Sequence, residues 1–130
     1  MKTVIYFDMD GTCNHWDLQG NPYEEHYFLH REPFPNVLSA VRQLKEMGVA
    51  VAFATAVFME GTARQDKLLW LKNNGMEDIP IIFIPYGECK DRYLPGDNRI
   101  LIDDHTPNLL EFAGTGIKLI NKNNHTGGKW

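Results

Sequence analysis

The chain has 130 residues, 43% apolar and 12% aromatic, and a formal net charge of −4. That length and composition suit one compact domain with a real core and exclude a disordered chain. The mild acidity leaves no basic stripe for DNA or RNA, so no stable nucleic acid complex is expected.

The first element is the run Thr3–Phe7, TVIYF, whose near-continuous apolar pattern predicts a strand covered on both faces. Only Met1 and Lys2 precede it, so no secretory leader is expected. Asp8, Asp10, Gly11 and Thr12 follow at once, two carboxylates at the end of a buried run, where charge is expensive. Asn14–Phe34 is then long and rich in rings, with His15, Trp16, Tyr23, His26, Tyr27, Phe28 and His30. It reads as a short insert over about residues 13–34. In Asn36–Met47, the residues Val37, Leu38, Val41, Leu44 and Met47 recur at helical spacing, and Gly48 is the expected C-terminal cap. A second strand, Val49–Ala54, ends just before Thr55 and Ala56.

Thr62–Asn74 predicts a second helix, with Leu68, Leu69 and Leu71 expected in the core. The strand Ile79–Pro85 leads into the loop PYGECKDRY, which carries Lys90. Arg99–Ile102 is the fourth strand, and Asp103 and Asp104 stand at its end. A short helix over Pro107–Ala113 has Thr106 as its expected N-cap, and Ile117–Ile120 is the fifth strand. The polar tail Asn121–Trp130 either frays or docks Trp130 back onto the domain. No run approaches the ~18 apolar residues of a membrane span. The two cysteines, Cys13 and Cys89, lack metal-ligand spacing and suit a reducing, cytoplasmic compartment.

Strand and helix alternate along most of the chain, which predicts an α/β fold: a three-layer sandwich around a parallel sheet with right-handed crossovers. Ligands of such sheets bind beyond the carboxyl ends of the strands. Those ends supply Asp8, Asp10, Thr55, Lys90, Asp103 and Asp104 to one edge. Gathered acids repel one another unless a cation lies between them, and Mg²⁺ suits an all-oxygen set. With a lysine and a hydroxyl, such a set fits a phosphoryl group, and a carboxylate there can serve as nucleophile. Gly11 is expected to turn its N–H toward the phosphate. Lys67 and Arg92 compete with Lys90 for the cationic role.

These residues carry a resemblance. FDMDGT looks like the first motif of the haloacid dehalogenase (HAD) superfamily, and Thr55, Lys90 and IDD follow in that superfamily's order. The stretches IPYG and ILIDDHTPNLLEFAGTGIKLIN resemble, more narrowly, the short relatives of the cytosolic type C 5'(3')-deoxyribonucleotidases. The resemblance implies a HAD-like Rossmannoid sheet with a minimal cap. It implies a Mg²⁺-dependent phosphatase acting through an aspartyl-phosphate, with a deoxynucleoside monophosphate as substrate. Asp8 would be the nucleophile and a metal ligand, and Asp10 the acid–base residue with its carbonyl on the metal. Thr55 and Lys90 would hold the phosphoryl group, beside Gly11, Thr12 and Ala56. Asp104 would bind the metal directly and Asp103 through a water.

Trp16 and Tyr23 are expected to stack a base. The short insert leaves the site open or covered by a second copy of the chain. It therefore also admits polynucleotide ends or sugar phosphates as substrates. A non-catalytic module that binds a phospho-ligand is the alternative from another class.

Overall fold

Five short strands rich in Val, Ile and Phe pair side by side in one wholly parallel sheet. They are β1 (Thr3–Phe7), β2 (Ala50–Val57), β3 (Ile81–Pro85), β4 (Asn98–Asp103) and β5 (Thr115–Lys118), in the order β3-β2-β1-β4-β5. The helices are α1 (Pro35–Glu46), α2 (Ala63–Asn73) and α3 (Thr106–Leu110). This computed structural model describes residues 2–16, 19–58 and 60–124.

Side chains alternate between the two faces of a strand, and two cores follow. Phe7, Val51 and Phe53 pack with Val37, Leu38 and Val41 of α1 and with Trp70 and Leu71 of α2. Tyr6, Ala52, Ala54, Ile84 and Leu101 pack on the opposite face with Leu94, Phe112 and Leu109 of α3. Helices on both sides of a parallel sheet make the expected three-layer α/β architecture.

The chain runs outward from β1 to β3 and then returns to put β4 on the other side of β1. Val4 accordingly faces both Ala50 and Arg99. The topological switch point lies between β1 and β4, where a crevice opens at the carboxyl ends. Asp8, Asp103 and Asp104 stand there.

Several expectations need correction. β2 continues through Val57, so Thr55 lies within the strand rather than beyond it. Leu68 and Leu69 are 48% and 43% exposed; the inward face of α2 is Ala63, Asp66, Lys67, Trp70 and Leu71. Two charged residues thus occupy positions that an apolar count skips. Thr106 is the first residue of α3, after an extended His105, rather than its N-cap. Gly48 does close α1 at φ +82°. Residues 121–124 fold against the first motif, and residues 125–130, with the docking of Trp130, lie outside the described residues. Among the described residues, no helix is long and apolar enough to cross a membrane.

Trp70 ties the insert to α2: it is 2% exposed, and its indole N–H donates to the Arg31 carbonyl at 2.7 Å. Trp70→Phe leaves that carbonyl without its donor and a gap beside it, for an expected loss of about 2 kcal/mol. Urea unfolding of the two proteins measures it.

Candidate active site

The backbone sets the geometry. Asp8 extends β1 by one more bond, its N–H donating to Ile102 O at 2.9 Å. The chain then turns tightly, with Thr12 and Cys13 both donating to Met9 O. Gly11 sits at φ +87°, and its N–H donates to the Asn14 carbonyl at 3.0 Å and to Asn14 Oδ1 at 3.2 Å. That N–H is therefore held inside the turn instead of facing a ligand, contrary to expectation. What requires glycine is closeness: a Cβ would lie 2.1 Å from Asp104 Oδ2.

Two buried ammonium groups organise the acids. Lys90 Nζ donates to Asp8 Oδ1 at 2.7 Å, to Asp103 Oδ2 at 2.9 Å and to Ala54 O at 3.0 Å. Lys67 Nζ donates to Asp10 Oδ2 at 2.7 Å, to Thr55 Oγ1 at 2.7 Å and to Ala56 O at 2.8 Å. The expected rivalry between lysines is resolved by using both. Arg92 is not brought in; its side chain is 75% exposed, 4.0 Å from Glu88.

Asp103 also accepts from His105 N–H at 2.9 Å and Asn108 Nδ2 at 3.0 Å. Asp8 Oδ2 and Asp104 Oδ1 both face the Thr12 hydroxyl, at 3.1 and 3.4 Å. Thr12 is wholly buried and supports these two acids; it does not line the cavity. Asn121 bridges the Gly11 carbonyl at 2.7 Å and Asp104 Oδ2 at 3.2 Å, and Asn124 donates to the Asp104 carbonyl.

Carboxylate oxygens of Asp8, Asp103 and Asp104 lie within 4.8 Å of one another, all three residues buried. Burial, then the charge of Asp103, pushes the Asp8 carboxyl well above the usual range, and Lys90 offsets only part of this. Burial alone would lower Lys90, but Asp8 and Asp103 outweigh it and raise the ammonium above its ordinary value. Among the described residues, Lys90 pairs with Asp8 and Asp103 and Lys67 with Asp10, and Asp104 adds a fourth carboxyl to the cluster. A divalent cation with a preference for oxygen fits such a cluster of carboxylate oxygens. Each of Asp8, Asp103 and Asp104 offers a carboxylate oxygen to such a cation. Cys13 Sγ donates to Asp8 O at 3.1 Å, and burial, with Asp8 and Asp10 nearby, raises its thiol. It packs and supports.

Over this edge lies a cavity of about 290 Å³ lined by Asp8, Asp10, Thr55, Ala56, Lys90 and Asp104 at its floor. Trp16, Tyr23, Phe28, Phe58 and Tyr86 line it too. Trp16 stands edge-on to Tyr27 at 5.6 Å, and Tyr23 stacks on Phe58 at 4.8 Å. Phe58, Asn14 and Asn121 were not singled out from the sequence. Lys67 had a signal: three residues before Trp70, it shares that residue's helix face. No protein-family model matches this chain, and comparison with curated proteins finds no match.

Two outcomes are expected. Gly11→Ala forces both the backbone and Asp104 to shift, costing at least about 2 kcal/mol in thermal unfolding and weakening cation binding. The second concerns pH. Asp8 holds its proton more tightly folded than unfolded, so its contribution to stability is present below the ordinary carboxylate range. That contribution is lost as pH rises through the raised value. Added Mg²⁺ should therefore raise Tm more at pH 8 than at pH 5. At ~100 times its Kd the gain is about 2.7 kcal/mol, read by differential scanning fluorimetry.

Proposed function

We propose that the chain is a Mg²⁺-dependent phosphomonoester hydrolase of the HAD type, working through an aspartyl-phosphate on nucleoside monophosphates. One observation carries the reading: Asp8, a buried carboxylate gripped by Lys90 at 2.7 Å, lies on the floor of a cavity that also presents Asp10 and Thr55. A carboxylate so buried and so crowded by acids is costly for folding alone, and perturbed acids in a cavity are the mark of chemistry.

In this reading Asp8 attacks phosphorus and the ester oxygen leaves. Asp10, two residues further on and oriented by Lys67 and Asn14, gives that oxygen its proton. Water then attacks the phosphoryl group on Asp8 while Asp10 takes up the proton, and phosphate departs with the carboxylate restored. Lys90 and the Thr55 hydroxyl face the charge that spreads over the phosphoryl oxygens. Mg²⁺, held by Asp8, Asp104 and the Asp10 carbonyl with Asp103 behind them, would supply the remaining positive charge to the phosphate. The nucleoside rests on Trp16 and Tyr23, rings in the same cavity.

Turnover of p-nitrophenyl phosphate with Mg²⁺ tests the class. Asp8→Asn should lose at least a thousandfold in kcat while retaining nucleotide binding. A wild-type protein that binds phosphomonoesters yet turns none over would instead be a binding module. The base contact has its own check: Trp16→Ala and Tyr23→Ala should raise KM for nucleotides about tenfold or more, with p-nitrophenyl phosphate little affected.

A further inference from the structure

The segment after β5 closes back over the acids. β5 pairs with β4, Asp103 opposite Lys118, and the Leu119 N–H donates to the Asp103 carbonyl at 2.9 Å. That register carries the run Asn121-Lys122-Asn123-Asn124 to the end of β4, beside Asp104. Its amides brace one another before they reach outward. Asn121 N–H donates to Asn124 Oδ1 at 2.7 Å, and Asn123 N–H donates to Asn121 Oδ1 at 2.8 Å. With its oxygen taken by a backbone donor, the Asn121 side chain turns its NH₂ group the other way.

That NH₂ group joins two distant segments. It donates to the Gly11 carbonyl at 2.7 Å and to Asp104 Oδ2 at 3.2 Å. The Thr12 hydroxyl faces Oδ1 of the same carboxyl at 3.4 Å, and Asn124 Nδ2 donates to the Asp104 carbonyl at 2.9 Å. Gly11 presses on the carboxyl from the other side, since a Cβ there would lie 2.1 Å from Oδ2. Asp104 is thus seated between the first turn and the returning tail. The chemistry of this grip matters. Ammonium groups hold Asp8, Asp10 and Asp103. Asn121 brings to Asp104 a neutral amide, which fixes the direction of a carboxylate and leaves its charge for a cation.

We propose that Asn121 is a positioning residue that makes the cation site selective for Mg²⁺ over Ca²⁺. The proposal rests on the metal-dependent reading above and deepens it. Mg²⁺ demands near-ideal octahedral geometry with oxygens at about 2.0–2.1 Å, whereas Ca²⁺ accepts a looser set at about 2.3–2.6 Å. A carboxylate fixed from two sides suits the smaller ion. The same carboxylate, free to swing, serves Ca²⁺ nearly as well and Mg²⁺ poorly. Groups that orient metal ligands typically contribute about 10–100-fold in affinity. Removing this one amide therefore costs selectivity while every carboxylate stays in place.

Isothermal titration calorimetry with MgCl₂ and with CaCl₂ tests it without any turnover. Wild type is expected to bind Mg²⁺ the more tightly. Asn121→Ala should raise the Mg²⁺ Kd about tenfold or more and the Ca²⁺ Kd by less than about threefold. Asn121 is half-buried, so its truncation seals no cavity. Should that variant fail to fold, Asn121→Gln keeps the amide, displaces it by one methylene and is expected to shift the ratio the same way. Asn123→Ala controls for a loosened tail. It removes the donor to the Trp16 carbonyl at 3.0 Å and keeps the N–H that braces Asn121, so Tm should fall with the ratio of the two Kd values unchanged. Kd values that rise in parallel in Asn121→Ala, or a ratio that falls as far in Asn123→Ala, overturn the proposal, because the amide then serves the fold alone. Failure of the phosphatase reading is distinguishable: selective Mg²⁺ binding through Asn121 with p-nitrophenyl phosphate untouched sustains the proposal and removes the hydrolase. A wild type that binds neither ion overturns both.

Discussion

Everything at this edge of the sheet answers to one electrostatic constraint: four carboxylates converge on the ends of β1 and β4, and the ammonium groups of Lys67 and Lys90 are buried among them. The strand order makes the convergence unavoidable. β4 pairs directly with β1, so the acids after each are neighbours although they lie far apart in sequence. Lys90 spans Asp8 and Asp103 across that pairing, and Lys67 holds Asp10 to β2 through Thr55 and Ala56. A buried pair of this kind gains stability only when each remaining lone pair is satisfied. Asn14, Asn108 and Asn121 do that, donating to Asp10, Asp103 and Asp104. The amides orient acids without adding charge, so the repulsion among the acids remains for a cation to relieve.

The elements that carry the acids were legible from apolar runs and their endings, because a parallel strand buried on both faces leaves little else it can be. The inward face of α2 was not. Its core positions include Asp66 and Lys67, both nearly inaccessible, and a count of apolar residues shifts the stripe onto Leu68 and Leu69. Charge on a core face reads as solvent-facing unless its partner is known, and the partners here are Asp10 of the first motif, Thr55 of β2, Thr62 just before α2 and His26 of the insert. The closing role of Asn121 was hidden for a similar reason. A polar tail looks like an end, yet this one returns to Gly11 across the whole chain.

The insert shows how little sequence is needed to build a wall. Its rings do not form a free lid. Tyr27 and Phe28 are buried against Val57 and Ala63, and Phe28 lies under Lys67 Nζ, 4.4 Å from the ring centroid. His26 adopts φ +62°, a left-handed conformation that costs an L residue roughly 1–2 kcal/mol. The strain is offset locally. Its ring nitrogen meets Asp66 Oδ1 at 2.9 Å, and its N–H donates to Thr62 Oγ1, which in turn donates to Asp66. The hydrogen bond and charge of Asp66 raise the His26 pKa, favouring the imidazolium there. Burial would raise Asp66, but the Thr62 and His26 hydrogen bonds outweigh it and hold the carboxyl below its usual range.

Insert and lysine are consequently one mechanical unit. Asp66, Lys67 and Trp70 lie on a single face of α2, and each grips a different part: His26 of the insert, Asp10 of the first motif, and the Arg31 carbonyl at the insert's far side. A shift of α2 that released the insert would also draw Lys67 from Asp10 and uncover the cavity floor. A separate cap domain can open because its hinge lies apart from the reacting groups. Here the fastening and the cavity floor share adjacent residues of one helix turn, so the wall is expected to move only together with Lys67. What stays open is the side toward Tyr23, Phe58 and Tyr86, where the cavity over the acids adjoins the wider cleft.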